Sequence, residues 1–209
     1  MAQCTRPDIL FAMSTIAQKC SAPTRHDYLQ AIRILLYLKS TPTLGICFAP
    51  GKFVLVCHVD AAHNCYIDAH GHYGYCFSLG ELDGIFHAVS KKMKLVTLSS
   101  TESEYVAICE AIREAEWLIR LLSDIGFPLS SSVIVYEDNM STIDQVHGHR
   151  RHQSTKHINP KFHYSGEVVE SGRVKLVHKG TADMLADIFT KPLSHGPFLH
   201  LSTGLLNMG

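Results

Sequence analysis

Four acidic residues stand where a folded chain readily turns a carboxylate into a ligand. Asp60 closes an apolar, β-branched run (53–59), and Glu104 lies in the first turn of a long amphipathic stretch. Asp138 follows a second apolar run (132–136), and Asp187 lies in the last periodic segment, 181–191. In a layered fold, the ends of neighbouring strands and a facing helix bring such groups to one spot, where three or four oxygen donors suit a hard divalent cation such as magnesium. Two such ions about 4 Å apart are a device for in-line phosphodiester hydrolysis, one activating the attacking water and the other stabilising the leaving oxygen. Each residue also has a plainer reading. Asp is common at strand-end turns, Thr101-Glu102-Ser103-Glu104 matches a helix capping box, and Asp187 fits a solvated helix position. Spacing alone leaves both readings open.

Two other clusters invite chemistry. Cys57, His58, His63, Cys65, His70, His72 and Cys76 include enough donors for zinc, yet no pair has CxxC or HxxxH spacing, and an exposed polar connection also accounts for 63–72. The seven cysteines, mostly within apolar runs, read as free thiols of a reducing compartment. His147, His149, Arg150, Arg151, His152, Lys156, His157 and Lys161 form a basic stretch that either holds phosphates, making binding salt-sensitive, or is a solvated loop. Arg150, Arg151, Lys156 and His157 are its candidate substrate contacts. Lys91, Lys92 and Lys94 form a second strip, where lysines also protect a sheet edge.

The elements that must position these groups are legible from period. Residues 7–20 carry Ile9, Ala12, Met13, Ile16, Ala17 and Cys20 on one helical face, with Pro7 in the first turn. Thr24 and Asp27 resemble a cap for a second helix bearing Tyr28, Ala31, Ile32, Leu35, Leu36 and Leu38. From residue 44 the pattern predicts short strands at 44–49, 52–59, 73–79, 84–89 and 94–98, punctuated by Gly and Pro. A long helix follows from Thr101 to about Ile125, stopped by Gly126. The continuous apolar run 132–136 suggests a strand covered on both faces. Helices from about Ser141 and at 162–169, a strand at 173–177 and a last helix at 181–191 complete the order. That order predicts an α/β domain, a mixed sheet flanked by helices and preceded by two helices.

With 209 residues, 46% of them hydrophobic and 18% charged, the chain can bury a sizeable core and is not a disordered segment. No apolar run approaches the roughly 18 residues of a membrane span, and residues 1–7 lack the pattern of a secretory signal. Nineteen basic residues balance nineteen acidic ones, so nucleic-acid binding would rest on local patches.

Several motifs together carry a resemblance. Ser90-Lys91-Lys92 through Leu98-Ser99-Ser100-Thr101-Glu102-Ser103-Glu104-Tyr105 resembles the ribonuclease H domain of Ty1/copia-type retrotransposon polyproteins. Gly74-Tyr75-Cys76-Phe77-Ser78-Leu79-Gly80, Asp138-Asn139, Thr155-Lys156-His157-Ile158 and Leu185-Ala186-Asp187-Ile188-Phe189-Thr190-Lys191-Pro192-Leu193 match in order and spacing. Arg6-Pro7-Asp8-Ile9 and Leu36-Tyr37-Leu38-Lys39 are similar to the segment joining reverse transcriptase to that domain. The resemblance implies a ribonuclease H fold that cleaves the RNA strand of RNA–DNA hybrids with two magnesium ions, manganese substituting, held by Asp60, Glu104, Asp138 and Asp187. Glu104 is preferred to Glu102 because Tyr105 fits the large residue that follows the family's glutamate. It also implies residues 1–50 as the helical end of a reverse transcriptase region, 51–193 as the nuclease domain and 194–209 as a tail. The partners implied are an RNA–DNA hybrid and the remainder of a polyprotein, with no membrane, in cytoplasmic retroelement particles or the nucleus. No Tyr-x-Asp-Asp polymerase motif occurs, and the chain reads as a fragment of a polyprotein or a truncated gene product. Departures from the family are Asp60-Ala61-Ala62-His63 in place of Asp-Ala-Asp-Trp, Phe86-His87 where a tryptophan is common, and Met140 in place of Gln. A folded remnant that binds nucleic acid without cleaving it is the alternative reading.

Overall fold

The computed structural model describes residues 1–49, 51–81, 83–148 and 159–207, with only the backbone for 159–162. Its sheet has five strands in the order β3-β2-β1-β4-β5: β1 Val56–Ala62, β2 His72–Ser78, β3 Ile85–Lys92, β4 Val133–Glu137 and β5 Val174–His178. The first three pair antiparallel through short connections, whereas β4 lies parallel to β1 and β5 parallel to β4. Parallel neighbours need long crossovers, and helices supply them. The helices are α1 Leu10–Ala17, α2 Arg25–Ser40, α3 Ser100–Asp124, α4 Met140–Val146, α5 Asn159–Glu170 and α6 His195–Leu206. This is the predicted mixed sheet flanked by helices and preceded by two of them. No described helix is long and apolar enough to cross a membrane.

Side-chain alternation sorts the apolar residues into two cores. Cys57, Val59 and Ala61 of β1, with Tyr75, Phe77, Val133 and Val135, pack under α3, which supplies Tyr105, Ile108, Ile112 and Ala115 at three- and four-residue steps. On the opposite face Cys76, Ile85 and Ala88 meet Leu10, Met184, Ile188, Phe189 and Leu205. Strand β1 lies between the two cores and is buried along nearly its whole length. In β4 only Val133, Val135 and Glu137 are buried, while Ile134 and Tyr136 are half-buried. Its apolar run is therefore covered fully on one face only.

Four sequence expectations change. Residues 44–49 are not a strand, because their backbone serves α6: the Cys47 N–H donates to the Leu206 carbonyl at 2.9 Å, and the Cys47 carbonyl accepts from Asn207 Nδ2 at 3.1 Å. Residues 94–98 leave the sheet, since Thr97 turns its hydroxyl to Ser103 of α3 at 2.6 Å and so delivers the chain to the helix start. Residues 181–191 hold two 3-10 segments, Thr181–Asp183 and Leu185–Phe189, instead of one α-helix. Residues 194–209, expected as a tail, carry α6, whose Leu201, Leu205 and Leu206 are buried. Of the seven free cysteines, Cys57, Cys76 and Cys109 are buried and the other four exposed.

The motifs near the N-terminus meet in space. Arg6 donates from Nε and Nη2 to Asp8 at 3.0 and 2.8 Å and from Nη1 to the Thr41 carbonyl at 3.0 Å. The Tyr37 hydroxyl donates to Asp8 Oδ2 at 2.6 Å. This buried, hydrogen-bonded ion pair locks the end of α2 to the segment before α1. The predicted cap of α2 forms as a reciprocal pair between Thr24 and Asp27.

One glycine decides how the last segment reaches the sheet. A Cβ on Gly74 would lie 2.4 Å from Phe189 Cβ and 3.3 Å from the Phe189 backbone carbon, so the absence of a side chain lets residues 185–190 lie directly on β2. Gly74 is also the cross-strand partner of Asp60. Gly74→Ala is expected to displace that segment and to lower stability by about 1–3 kcal/mol, measured by urea unfolding. An unchanged midpoint would show that the segment moves away freely.

Candidate active site

Sheet register brings two of the carboxylates level. His58 of β1 is paired with Tyr136 of parallel β4, so Asp60 and Asp138, each two residues further on, come side by side at the carboxyl end of the sheet. Asp60 lies inside β1, not at its end. Asn139 caps α4, accepting from the Ser141 N–H at 3.0 Å and the Thr142 N–H at 3.4 Å, which turns the chain away directly after Asp138. Asp138 Oδ2 accepts from the Thr181 hydroxyl at 2.7 Å.

Helix α3 adds the third carboxylate. Ser99 caps the helix by accepting from the Glu102 N–H at 3.1 Å, and the Glu102 carboxylate accepts from the Leu98 N–H at 2.6 Å. The capping role expected of this motif therefore belongs to Glu102. Glu104, two residues on, is 6% exposed and faces the sheet. Carboxylate oxygens of Asp60, Glu104 and Asp138 lie within 4.8 Å of one another.

Asp187 approaches from the other face, on the 3-10 segment Leu185–Phe189. It is buried and stands outside the three-carboxylate group, joined to it through Lys191. That ammonium is 2.9 Å from Asp187 Oδ1 and 3.9 Å from Asp60 Oδ2. The Thr190 hydroxyl donates to Asp60 Oδ2.

The electrostatics are those of crowded acids with too few counter-charges. Burial first, then Glu137, Asp60 and Asp138, push the Glu104 carboxyl up to about 11, and its Oε2 has no hydrogen-bond partner. Burial and the neighbouring Asp60 push Asp187 up to about 6, with Lys191 opposing the rise. Burial raises Asp60 as well, against the pull of Lys191 and Thr190. Such a set of buried acids repel one another until a cation arrives.

Two participants were not singled out from the sequence. Glu137 is fully buried, its Oε1 accepting from the Asn139 N–H at 3.0 Å and its Oε2 unpartnered; burial raises its carboxyl well above the usual range. The available signal was strand parity, because Glu137 continues the buried stripe of Val133 and Val135. Lys191 stood within a quoted motif, four residues after Asp187, without an assigned role.

The other candidates fall into place differently. Among the described residues no Cys–His group converges as a metal site. His72 is instead a satisfied core histidine. Ser90 donates its hydroxyl proton to the Phe189 carbonyl at 2.7 Å, so His72 Nε2–H donates to Ser90 Oγ at 2.8 Å. Its Nδ1 then accepts from the Tyr66 hydroxyl at 2.6 Å, and Gln18, the residue after α1, donates to Tyr66 at 2.9 Å. This chain of bonds reaches from the end of α1 to the segment that carries Asp187. His63, at the position of the family's tryptophan, places Nδ1 3.1 Å from both Thr97 Oγ1 and Ser103 Oγ. His178 ends β5, with Nε2 3.1 Å from the Asp138 carbonyl oxygen. Lys92 is paired with Asp68. Arg150, Arg151, Lys156 and His157 lie outside the described residues.

A five-stranded mixed sheet of this order, with carboxylates gathered at the carboxyl end of its central strands, is a ribonuclease H-like fold. It superposes on LC11-RNase H1, crystallised in complex with an RNA/DNA hybrid, with a TM-score of 0.50 at 16% identity, over 65% of this chain and 93% of that one. No family model matches the chain. Its sequence is 34% identical over 211 residues to the Retrovirus-related Pol polyprotein from transposon RE1 of Arabidopsis thaliana. It is 32% identical over 196 residues to that from transposon TNT 1-94 of Nicotiana tabacum. Its homologues are thus Retrovirus-related Pol polyproteins of copia-type transposons, which match 95% and 93% of this chain, while the chain spans 14% of each relative.

Proposed function

We propose that this chain is the ribonuclease H part of a copia-type Pol polyprotein, a metal-dependent endonuclease that hydrolyses the RNA strand of RNA–DNA hybrids during reverse transcription. The observation that carries the reading is the convergence of Asp60, Glu104 and Asp138, from three separate elements, within 4.8 Å. The donor set fits the implied metal: it is all oxygen, as magnesium or manganese prefers, and Glu104 Oε2 is buried without a partner. Asp60, Glu104, Asp138 and Asp187 would hold the ions. Bound divalent ions supply activation of the attacking water and neutralisation of charge on the phosphodiester.

The remaining work belongs to the chain itself. Thr181 and Thr190 hold single oxygens of Asp138 and Asp60 by hydrogen bonds, leaving the other oxygens to face the ions. Burial keeps bulk water from screening the cluster, so cation binding there is strong and localised. The basic stretch with Arg150, Arg151, Lys156 and His157 is assigned to the hybrid's phosphates, and recognition to A-like shape and 2′-hydroxyls more than to bases. Residues 1–50 are assigned to the end of the reverse transcriptase region and 51–193 to the nuclease, acting in retroelement particles or the nucleus. Leu29, Leu35 and Leu36 of α2, all exposed, are consistent with a further part of the polyprotein packing there.

The test is cleavage of a labelled RNA–DNA hybrid with Mg²⁺ or Mn²⁺, beside Asp138→Asn and a chelator control. RNA-strand cleavage abolished by both is the expected result. Folded protein that binds the hybrid without cutting it would replace this reading with that of a binding remnant.

A further inference from the structure

The four carboxylates do not share counter-charge equally. Lys191 follows Asp187 by four residues and stands 2.9 Å from Asp187 Oδ1 and 3.9 Å from Asp60 Oδ2. The closer contact is an ion pair with one oxygen of Asp187. Its side chain is 40% exposed, long and unbranched, and so is free to leave toward solvent. Oxygens of Asp60, Glu104 and Asp138 lie within 4.8 Å of one another. Lys191 bridges Asp60 and Asp187. The site thus divides into a three-oxygen nest and an edge already occupied by a tethered monovalent cation.

We propose that Lys191 is a positioning residue that stands in for one of the two divalent ions: the nest of Asp60, Glu104 and Asp138 takes the first ion, and the second binds between Asp60 and Asp187 only when the Lys191 ammonium is displaced. The proposal rests on the reading of these carboxylates as metal ligands. It makes binding sequential. One ion enters an open nest, and the next competes with a charge built into the chain.

Mn²⁺ binding without substrate tests this, with free ion followed by electron paramagnetic resonance in the whole chain, Lys191→Met and Lys191→Arg. Wild type is expected to bind one ion tightly and a second weakly. Lys191→Met should tighten the second ion about tenfold and leave the first little changed, and Lys191→Arg should behave as wild type. A second-ion affinity that is unchanged or weaker in Lys191→Met would overturn the proposal and make Lys191 a simple structural partner of Asp187. Should that variant not fold, acylation of Lys191 in the wild type, followed by mass spectrometry, gives the same information. Its reactivity is expected to rise as Mn²⁺ fills the weak site, and constant reactivity would count against displacement. Failure of the underlying reading looks different: wild type and Glu104→Gln would then bind Mn²⁺ equally poorly.

Discussion

Glu104→Gln is expected to abolish cleavage and, at the same time, to make the metal-free protein more stable at pH 8. Glu104 is buried with one oxygen unpartnered, and its neighbours Glu137, Asp60 and Asp138 add like charge to the cost of burial. An amide keeps the shape and spares the folded state the proton that the buried carboxyl must take up at pH 8. The gain should be about 1–3 kcal/mol at pH 8, the usual size of an uncompensated buried polar or charged group. The loss of activity should be about 10³-fold, because a missing metal ligand removes several kcal/mol of transition-state stabilisation.

The pH dependence has a definite sign. In the unfolded chain the Glu104 carboxyl titrates near the ordinary value of about 4.3, and in the folded, metal-free protein at about 11. Across that window the native state holds a proton that the unfolded chain has lost, so stability falls as pH rises. Asp187, raised to about 6, adds a smaller contribution of the same sign at the acidic end. Urea unfolding in chelator should therefore show wild type more stable at pH 5 than at pH 8, with Glu104→Gln removing much of the difference. Saturating Mg²⁺ should remove it as well, by binding only the folded carboxylates. A variant as pH-sensitive as wild type, or one that still cleaves, would refute this account of the residue.

The second large effect is expected at Phe189, which no chemical motif would nominate. The ring is fully buried in the core opposite α3, its Cβ lies over Gly74, and its carbonyl receives the Ser90 hydroxyl at 2.7 Å. It thereby fixes the backbone between Asp187 and the Thr190–Lys191 pair. Phe189→Ala should cost about 3–5 kcal/mol by creating a cavity and should weaken Mn²⁺ binding, because Asp187 loses its support. Phe189→Leu, which nearly conserves volume, should cost less than about 1.5 kcal/mol. Urea unfolding in chelator measures both, and a loss below 1 kcal/mol in the alanine variant would show that the segment is held by its hydrogen bonds alone.

Much of the architecture was legible because long-period signals survive any packing. The face of α3 from Tyr105 to Ala115 and the strands at 73–79 and 84–89 follow from side-chain spacing, which both local geometry and the core require. The errors fall where short segments gain more from a tertiary partner than from their own pattern. Residues 44–49 have strand-like composition, yet their backbone partners are Leu206 and Asn207 at the far end of the chain. Residues 181–191 have helical spacing, but close approach to Gly74 and burial of Met184, Ile188 and Phe189 favour two tight 3-10 segments. Helix α6 was missed because His195-Gly196-Pro197 and Gly204 weaken its local signal, and burial of Leu201, Leu205 and Leu206 outweighs that.

The same division runs through the site. The sequence by itself determined which residue types were available and in what order: an acid closing the apolar run 53–59, one near the start of the long helix, one after the run 132–136 and one in the last segment. It also pointed, through the resemblance, to the polyproteins that the comparisons then showed to be its homologues. Only the tertiary structure decided that Glu102 caps α3 while Glu104 faces the sheet, because two acids in one helical turn differ only in direction. Only the register of β1 against β4 placed Asp60 beside Asp138. Glu137 became a fifth acid in the cluster, and Lys191 its counter-charge, for the same reason. Carboxylate chemistry depends on distances of a few ångströms, and those are fixed by packing between elements remote in sequence.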